Sequence, residues 1–251
     1  MLALSIMGLL PENIRQQDGV ALLCGELLTG FRQRRRLLGD RMVYIPQNGL
    51  EALNPSRKIS AQLADGLQKL GIPRRQQQRR ITENLQTAGF HAPEEIMNLY
   101  PFQLSGGMAQ RVTIALAAGS RASLVIADEP TNGLDSDGKA HFIQLLDRVF
   151  PQAGKLIITH DLSVAALCSR TCVLCGGLPM EMGPDLTVSP RHPYTMALLN
   201  ALVAKGMQET PVLRAGSSPC PFYCRCPQAQ ASCLHEIPRR SQGSREWWCC
   251  L

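Results

Sequence analysis

An α/β architecture, with helices packed on a parallel sheet, is the fold class this sequence predicts, and three observations carry it. Leu124-Val125-Ile126-Ala127 is an unbroken apolar run with two β-branched residues, as expected of a short strand buried on both faces. Lys155-Leu156-Ile157-Ile158-Thr159 reads as another buried strand, with a helix over Ser136 to Phe150 between the two. Asp128-Glu129 follows directly on the first strand and His160-Asp161 on the second. Open α/β sheets place their ligands at such carboxyl ends.

The remaining elements follow in order. Met1 to Leu10 carries apolar residues at helical spacing and stops at Pro11. Glu12 to Asp40 is polar, glycine-rich and basic, fitting loops and a short helix around Leu27 to Leu38. Arg41 to Ile45 is a strand that delivers Gln47. Three helices are expected next: an amphipathic one over Ile59 to Leu70, one opened by Pro73 and running through Ala88, and a short one opened by Pro93. Ser105-Gly106-Gly107 stands before a helical stretch, Met108 to Ala118, and bare amides at a helix start make an anion site. Pro130 stops the central strand, and Thr131 to Asp135 leads into the next helix. Cys172 to Cys175 and Leu178 to Met182 read as the last strands of the sheet. Pro190 to Thr195 leads into Met196-Ala197-Leu198-Leu199, and a linker of small and polar residues runs from Ala204 to Pro219.

Composition narrows the function. A hydrophobic fraction of 45% over 251 residues can build one large α/β core with an appendage. No stretch approaches the roughly 18 consecutive apolar residues that a spanning helix needs. The opening residues lack a basic leader and a small-residue cleavage site, so a signal peptide is not expected. The net charge of +6 is concentrated in Arg32 to Arg36, Arg74 to Arg80 and Arg239-Arg240; these runs read as solvated faces, and no nucleic-acid partner is expected. Ten cysteines without an export signal suggest reduced thiols and metal ligation rather than disulfides. Cys172 and Cys175, on one strand at odd spacing, point to opposite faces and read as small buried hydrophobes.

Taken together, Leu104 to Gln110, Leu124 to Glu129, Gly133-Leu134-Asp135, Gln47 and His160 resemble, in order and spacing, the nucleotide-binding subunit of ABC transporters. They match its signature motif, Walker B segment, D-loop, Q-loop and switch histidine. The resemblance implies a P-loop NTPase-like ABC ATPase domain over 1–203, with a helical subdomain at about 59–100 that docks on a membrane subunit. Residues 204–251 form a linker and cysteine-rich tail. Ala52-Leu53-Asn54-Pro55 and His192-Pro193-Tyr194-Thr195 resemble the dipeptide, oligopeptide and nickel importer branch, although Asn48-Gly49 departs from that branch's more usual acidic-Pro pair.

The resemblance further implies ATP and Mg²⁺ as cofactors. Asp128 would hold Mg²⁺ through water, and Glu129 would orient or deprotonate the attacking water. His160 would contact the γ-phosphate and Gln47 would sense it. Ser105, Gly106, Gly107 and Gln110 would face a nucleotide held by a second, identical or different, ATPase subunit, and Asp135 would couple the two sites. Permease subunits and, indirectly, a substrate-binding protein are the implied partners, at the cytoplasmic face of a bacterial inner membrane. The tail spacing C-x5-C-x6-C-x15-C at Cys220, Cys226, Cys233 and Cys249 resembles that of peptide-importer ATPases associated with an iron–sulfur cluster. Four thiolates would equally suit zinc, and Cys224 and Cys250 leave the ligand set open.

One motif of the family is not found: no G-x-x-x-x-G-K-[ST] segment occurs in the 251 residues. The expectation is a chain beginning just after that phosphate loop and defective in ATP binding by itself; a diverged domain that never had the loop is the rival. A non-transport ABC-type ATPase, or an inert fragment docking on permeases, are the alternative functions.

Overall fold

The computed structural model describes residues 1–251, the side chain of Ala204 excepted. The chain packs into two compact units, Met1–His160 and Asp161–Leu251.

The first unit opens with α1 (Leu2–Met7), shorter than its apolar pattern suggests because the chain leaves the helix at Gly8. A small antiparallel hairpin, β1 (Leu22–Leu23) and β2 (Glu26–Leu27), precedes α2 (Phe31–Leu37), which starts four residues later than expected. The buried Arg34 of α2 donates to the carbonyls of Ser5 and Leu28, at 2.6 and 2.9 Å, so its charge meets the carboxyl-terminal turn of α1.

A three-stranded parallel sheet follows, built from β3 (Met42–Ile45), β4 (Leu124–Asp128) and β5 (Gly154–Ile158), with β4 in the middle. Ile126 lies opposite Tyr44 on one side and Leu156 on the other. Val125, Ile126 and Ala127 are fully buried because each face of β4 is covered. Val125 and Ala127 belong to a cluster with Phe142, Leu145 and Leu146 of α7 (Ser136–Val149), while Ile126 packs with Ala3 and Met7 of α1. The apolar run is thus buried from two sides, as parallel strands require.

Three helices, α3 (Ile59–Lys69), α4 (Arg74–Thr87) and α5 (Pro93–Asn98), match the expected helical segments within a residue at each end. Ile59, Leu63 and Leu67 recur every four residues on α3 and pack with Ile81 and Leu85 of α4. The same core takes in Val112 and Ala115 of α6 (Gly106–Ala117), and Asn84 donates to the Ala115 carbonyl at 3.2 Å. Ser105 caps α6 by accepting from the Met108 N–H at 3.2 Å, so the helix begins two residues before the expected start.

The second unit corrects one expectation. The segments around Cys172 and Leu178 do form strands, β6 (Thr171–Cys175) and β7 (Leu178–Gly183), but they do not extend the parallel sheet. They make an antiparallel hairpin across Gly176-Gly177, both at positive φ, and a two-residue turn can only return the chain antiparallel. The sheet is completed by β8 (Arg239–Gln242) and β9 (Arg245–Trp248), giving the order β6-β7-β9-β8. Cys172 is exposed and Cys175 half-buried, so the first is not the buried hydrophobe expected. Helices α8 (Leu162–Ala165) and α9 (Pro193–Asn200) complete this unit's regular structure, with short turns at Val203–Lys205, Tyr223–Arg225 and Ala231–Leu234.

Gly49 explains the departure from the usual loop sequence after Gln47. A Cβ at this position would lie 2.7 Å from the Gln110 nitrogen and 2.8 Å from the Ala109 carbonyl carbon, so the loop rests backbone-to-backbone on α6. Neither contact is with a flexible side chain that can swing aside. Gly49→Ala is therefore expected to destabilise the fold by about 1–3 kcal/mol, read from urea denaturation. An unchanged midpoint would mean that the loop can lift off α6 at no cost.

Candidate functional site

The parallel pairing of β4 with β5 brings Glu129 and His160 together. Asp128 is the last residue of β4, opposite Ile158, and the Glu129 N–H donates to the Ile158 carbonyl at 2.8 Å, continuing the ladder one residue past the strand. Glu129 sits at φ +45°, a conformation uncommon for a residue with a side chain, which turns the chain sharply away from the sheet. Its carboxylate then meets the end of β5: Oε1 accepts from the His160 N–H at 3.0 Å and lies 2.9 Å from His160 Nδ1, and the Thr159 hydroxyl donates to Oε2 at 3.4 Å. On the other flank the Tyr44 hydroxyl of β3 donates to Asp128 Oδ2 at 3.4 Å. Burial first, and then the Asp128 charge, raises the Tyr44 phenol above its ordinary pKa, so it stays a donor at neutral pH.

Two adjacent carboxylates therefore point from one strand end, one braced by a phenol and one by an imidazole. Oxygen donors of this kind suit a hard cation such as Mg²⁺. The imidazole is exposed, and in its protonated form both ring nitrogens are donors, so a His160 side chain held on Glu129 has the chemistry to contact an anion as well.

The other sequence-derived residues surround this centre less directly. Gln47, two residues beyond β3, is exposed, and among the described residues no hydrogen bond joins it to Asp128 or Glu129. Gln110 is buried, and its side-chain amide donates to the Pro130 carbonyl, tying α6 to the turn that follows Glu129. Ser105, Gly106 and Gly107 are exposed, and a Cβ on either glycine would meet no atom within 4 Å, leaving the amide end of α6 open. Asp135 is exposed and caps α7, accepting from the Gly138 N–H at 2.8 Å. Tyr44 and Thr159 escaped sequence reasoning. Thr159 could have been suspected from its place beside His160; Tyr44 has no signal without the strand register.

The second unit holds a separate feature, a small cavity lined by Cys220, Cys226, Cys233, Cys249 and Cys250, with Trp248 and His192 also in its wall. All four tail cysteines of the spacing pattern reach it. Cys250 joins them and Cys224 does not, its Sγ facing the Gly216 carbonyl at 3.3 Å. Burial, and beyond it the charge of neighbouring thiolates, raises the pKa of the Cys220, Cys226 and Cys249 thiols. Among the described residues no group of three or more His, Cys, Asp or Glu stands ready to hold a metal ion. His192 is fully buried. Its Nδ1 accepts from the Tyr194 N–H at 2.9 Å, capping α9, and its own N–H donates to Glu181, which is itself fully buried and accepts from the Arg191 N–H as well. Nε2 of His192 is buried with no hydrogen-bond partner. The imidazole is held below its ordinary pKa, chiefly by burial, against the opposing influence of the Glu181 charge and of the Trp248 backbone carbonyl beside the ring.

Comparison with known proteins agrees with this architecture. The family model described as ABC transporter matches residues 2–132. The dipeptide transport ATP-binding protein DppD of Haemophilus influenzae is 34% identical over 98% of this chain and 80% of its own length. The oligopeptide transport ATP-binding protein OppD of Salmonella typhimurium is 32% identical over 94% of this chain and 75% of its own. Among solved structures, cbiO1 from Clostridium perfringens, described as part of the ABC transporter complex cbiONQ, has the same fold at a TM-score of 0.62 and 21% identity, over 80% of this chain and 77% of that one. By the family model and by these relatives, the chain belongs to the ABC transporter family.

Proposed function

We propose that this chain is the ATP-binding subunit of a bacterial peptide importer, and that the paired strand ends of β4 and β5 form its nucleotide-facing centre. The observation that carries this reading is the contact of Glu129 with His160 beside Asp128, at 2.9 Å between Oε1 and Nδ1. The names of the relatives favour peptides over nickel as cargo. No helix among the described residues is long and apolar enough to cross a membrane, which fits a peripheral subunit attached through its helical subdomain, α3 to α5, to permease partners.

Each residue's work follows from its surroundings. Mg²⁺, when bound, would neutralise phosphate charge, and Asp128 is the carboxylate to hold it through water, oriented by Tyr44. Glu129 is the base that orients or deprotonates water; its strained backbone and the donors from Thr159 and His160 hold the carboxylate in one direction. His160 joins Glu129 to the terminal phosphate, and Gln47 senses that phosphate from the loop resting on α6. Ser105, Gly106 and Gly107 offer open amides to a nucleotide carried by a second ATPase subunit, with Gln110 bracing α6 against the Pro130 turn and Asp135 lying toward that subunit. Residues 1–203 are the ATPase core and 204–251 the appended tail.

For the tail, the family resemblance alone favours a thiolate-bound metal group, an iron–sulfur cluster before zinc, at Cys220, Cys226, Cys233 and Cys249; these cysteines reach one cavity but, among the described residues, form no group arranged to hold a metal ion. Such a group, if bound, would supply the positive charge that several thiolates need in order to share one cavity; Trp248 covers one wall.

In a chain that carries a phosphate loop ahead of Leu2, Glu129→Gln is expected to lower ATP turnover by about 10²- to 10⁴-fold while ATP binding persists. Turnover near the unmodified rate would remove Glu129 from the role of base. The 251 residues themselves contain no G-x-x-x-x-G-K-[ST] segment to wrap phosphates, and Asp128 and Glu129 repel a polyanion that no cation bridges. Assayed alone, this chain is therefore expected to bind Mg-ATP very weakly and to release no phosphate above background. Calorimetry showing micromolar affinity would mean that another segment does the loop's work.

A further inference from the structure

We propose that the arginine face of α4, in the helical subdomain, is a docking surface for the phosphates of an anionic lipid bilayer. The inference goes beyond the importer reading and does not rest on it, because the face would meet headgroups directly, whichever protein partners the subdomain has.

The face is fixed by what α4 buries. Ile81, Asn84 and Leu85 turn inward, the two apolar ones into the core shared with Ile59, Leu63 and Leu67 of α3. Arg74, Arg75, Arg79 and Arg80 are all exposed, the Arg79 side chain to 85%. Glu83 is the one acidic residue of α4, so the helix carries a net charge of +3. That single carboxylate serves two guanidiniums, at 2.7 Å from Arg79 and 3.4 Å from Arg80. Among the described residues neither Arg74 nor Arg75 makes an ion pair or a side-chain hydrogen bond. The helices packed against α4 do not neutralise them: Asp65 of α3 is held by Arg57, and Glu94 and Glu95 of α5 form no ion pair among the described residues.

This arrangement works against the helix that carries it. Two cations occupy the first turn, where the helix dipole favours anions, and no acidic residue stands there. Arg75 and Arg79, four residues apart, are like charges on neighbouring turns. A face that only had to be solvated would gain from interspersed acidic residues, so the surplus charge points to an anion outside the chain. Its chemistry is phosphate: all four cations are arginine, whose planar fork matches two phosphate oxygens, and none is lysine. Between the arginine pairs stand Gln76-Gln77-Gln78, with no aromatic ring on which a nucleic-acid base could stack. A row of guanidiniums along one helix side suits a plane of headgroups, to which each basic residue adds about fivefold in partitioning.

The experiment is co-sedimentation of the full 251-residue chain with vesicles of phosphatidylglycerol and phosphatidylcholine, and with vesicles of phosphatidylcholine alone. Binding is expected to the first and not to the second, and it should weaken as salt rises. Arg74→Gln combined with Arg75→Gln is expected to lower partitioning about 25-fold, roughly fivefold for each arginine. Arg32→Gln combined with Arg35→Gln removes the same charge from exposed positions of α2 and should leave most of the binding intact. Glutamine is a good helix former and all four positions are exposed, so each double variant should keep the circular dichroism of the parent chain. Equal binding to both kinds of vesicle would overturn the proposal. An equal loss in the two double variants would also overturn it, leaving only the net charge of the chain. Release from vesicles by soluble glycerol phosphate would replace the bilayer with a small anion. Tighter binding to a single-stranded oligonucleotide than to vesicles, lost with Arg74 and Arg75, would replace it with nucleic acid.

Discussion

The parallel pairing of β4 between β3 and β5 is the constraint on which the proposed nucleotide-facing centre depends. Because strands in a parallel sheet all end on the same side, the residues that follow β4 and β5 emerge together. The Glu129 N–H bonding to Ile158 shows the consequence at atomic scale: the ladder runs one residue past β4 and sets the turn from which the carboxylate reaches His160. Tyr44, opposite Ile126 on β3, supports Asp128 from the other side by the same logic. A slip of one residue in either pairing would carry these side chains to the opposite face and dissolve the group.

That register is held by hydrophobic burial on both faces of β4. Ile126 faces Ala3 and Met7 of α1, while Val125 and Ala127 face α7, so alternate residues of one short strand anchor two different helices. The helical subdomain is joined to this core through α6, which shares Val112 and Ala115 with α3 and α4 and sends Gln110 to the Pro130 carbonyl. One helix thus links the amide end at Ser105 to the turn after Glu129. A movement of the subdomain would pass to the carboxylates through Gln110 and through the loop that Gly49 lays against α6.

The cysteine-lined cavity obeys a different physics. Its walls come from segments with little regular structure, the turns at Tyr223–Arg225 and Ala231–Leu234 and the strand end at Trp248, and its thiols disfavour one another's charge. The Glu181–His192 arrangement is the rigid part of this wall, because the buried Glu181 carboxylate accepts from the backbone N–H groups of Arg191 and His192 while the Tyr194 N–H donates to the imidazole.

By itself the sequence determined the elements and the chemistry that sits beside them. Leu124 to Ala127 and Leu156 to Ile158 announce strands through local composition, although β5, at the sheet's edge, is only half-buried, and Asp128, Glu129 and His160 stand out as candidate site residues because they follow at or just past such strand ends. The helices of the subdomain are legible for the same reason, their apolar spacing being a local property. Only the tertiary structure decided which distant residues meet. The hydrogen bonds of Tyr44 and Thr159 to the two carboxylates, the burial of Gln110 against Pro130, and the choice of Cys250 rather than Cys224 for the cavity wall all depend on strand register and loop path. The separate antiparallel sheet was half visible in Gly176-Gly177, yet its partner strands β8 and β9 lie more than fifty residues on, in a polar stretch with no strand periodicity. Local pattern encodes what a segment becomes; pairing between segments is set by the burial and hydrogen bonding that only the assembled fold can satisfy.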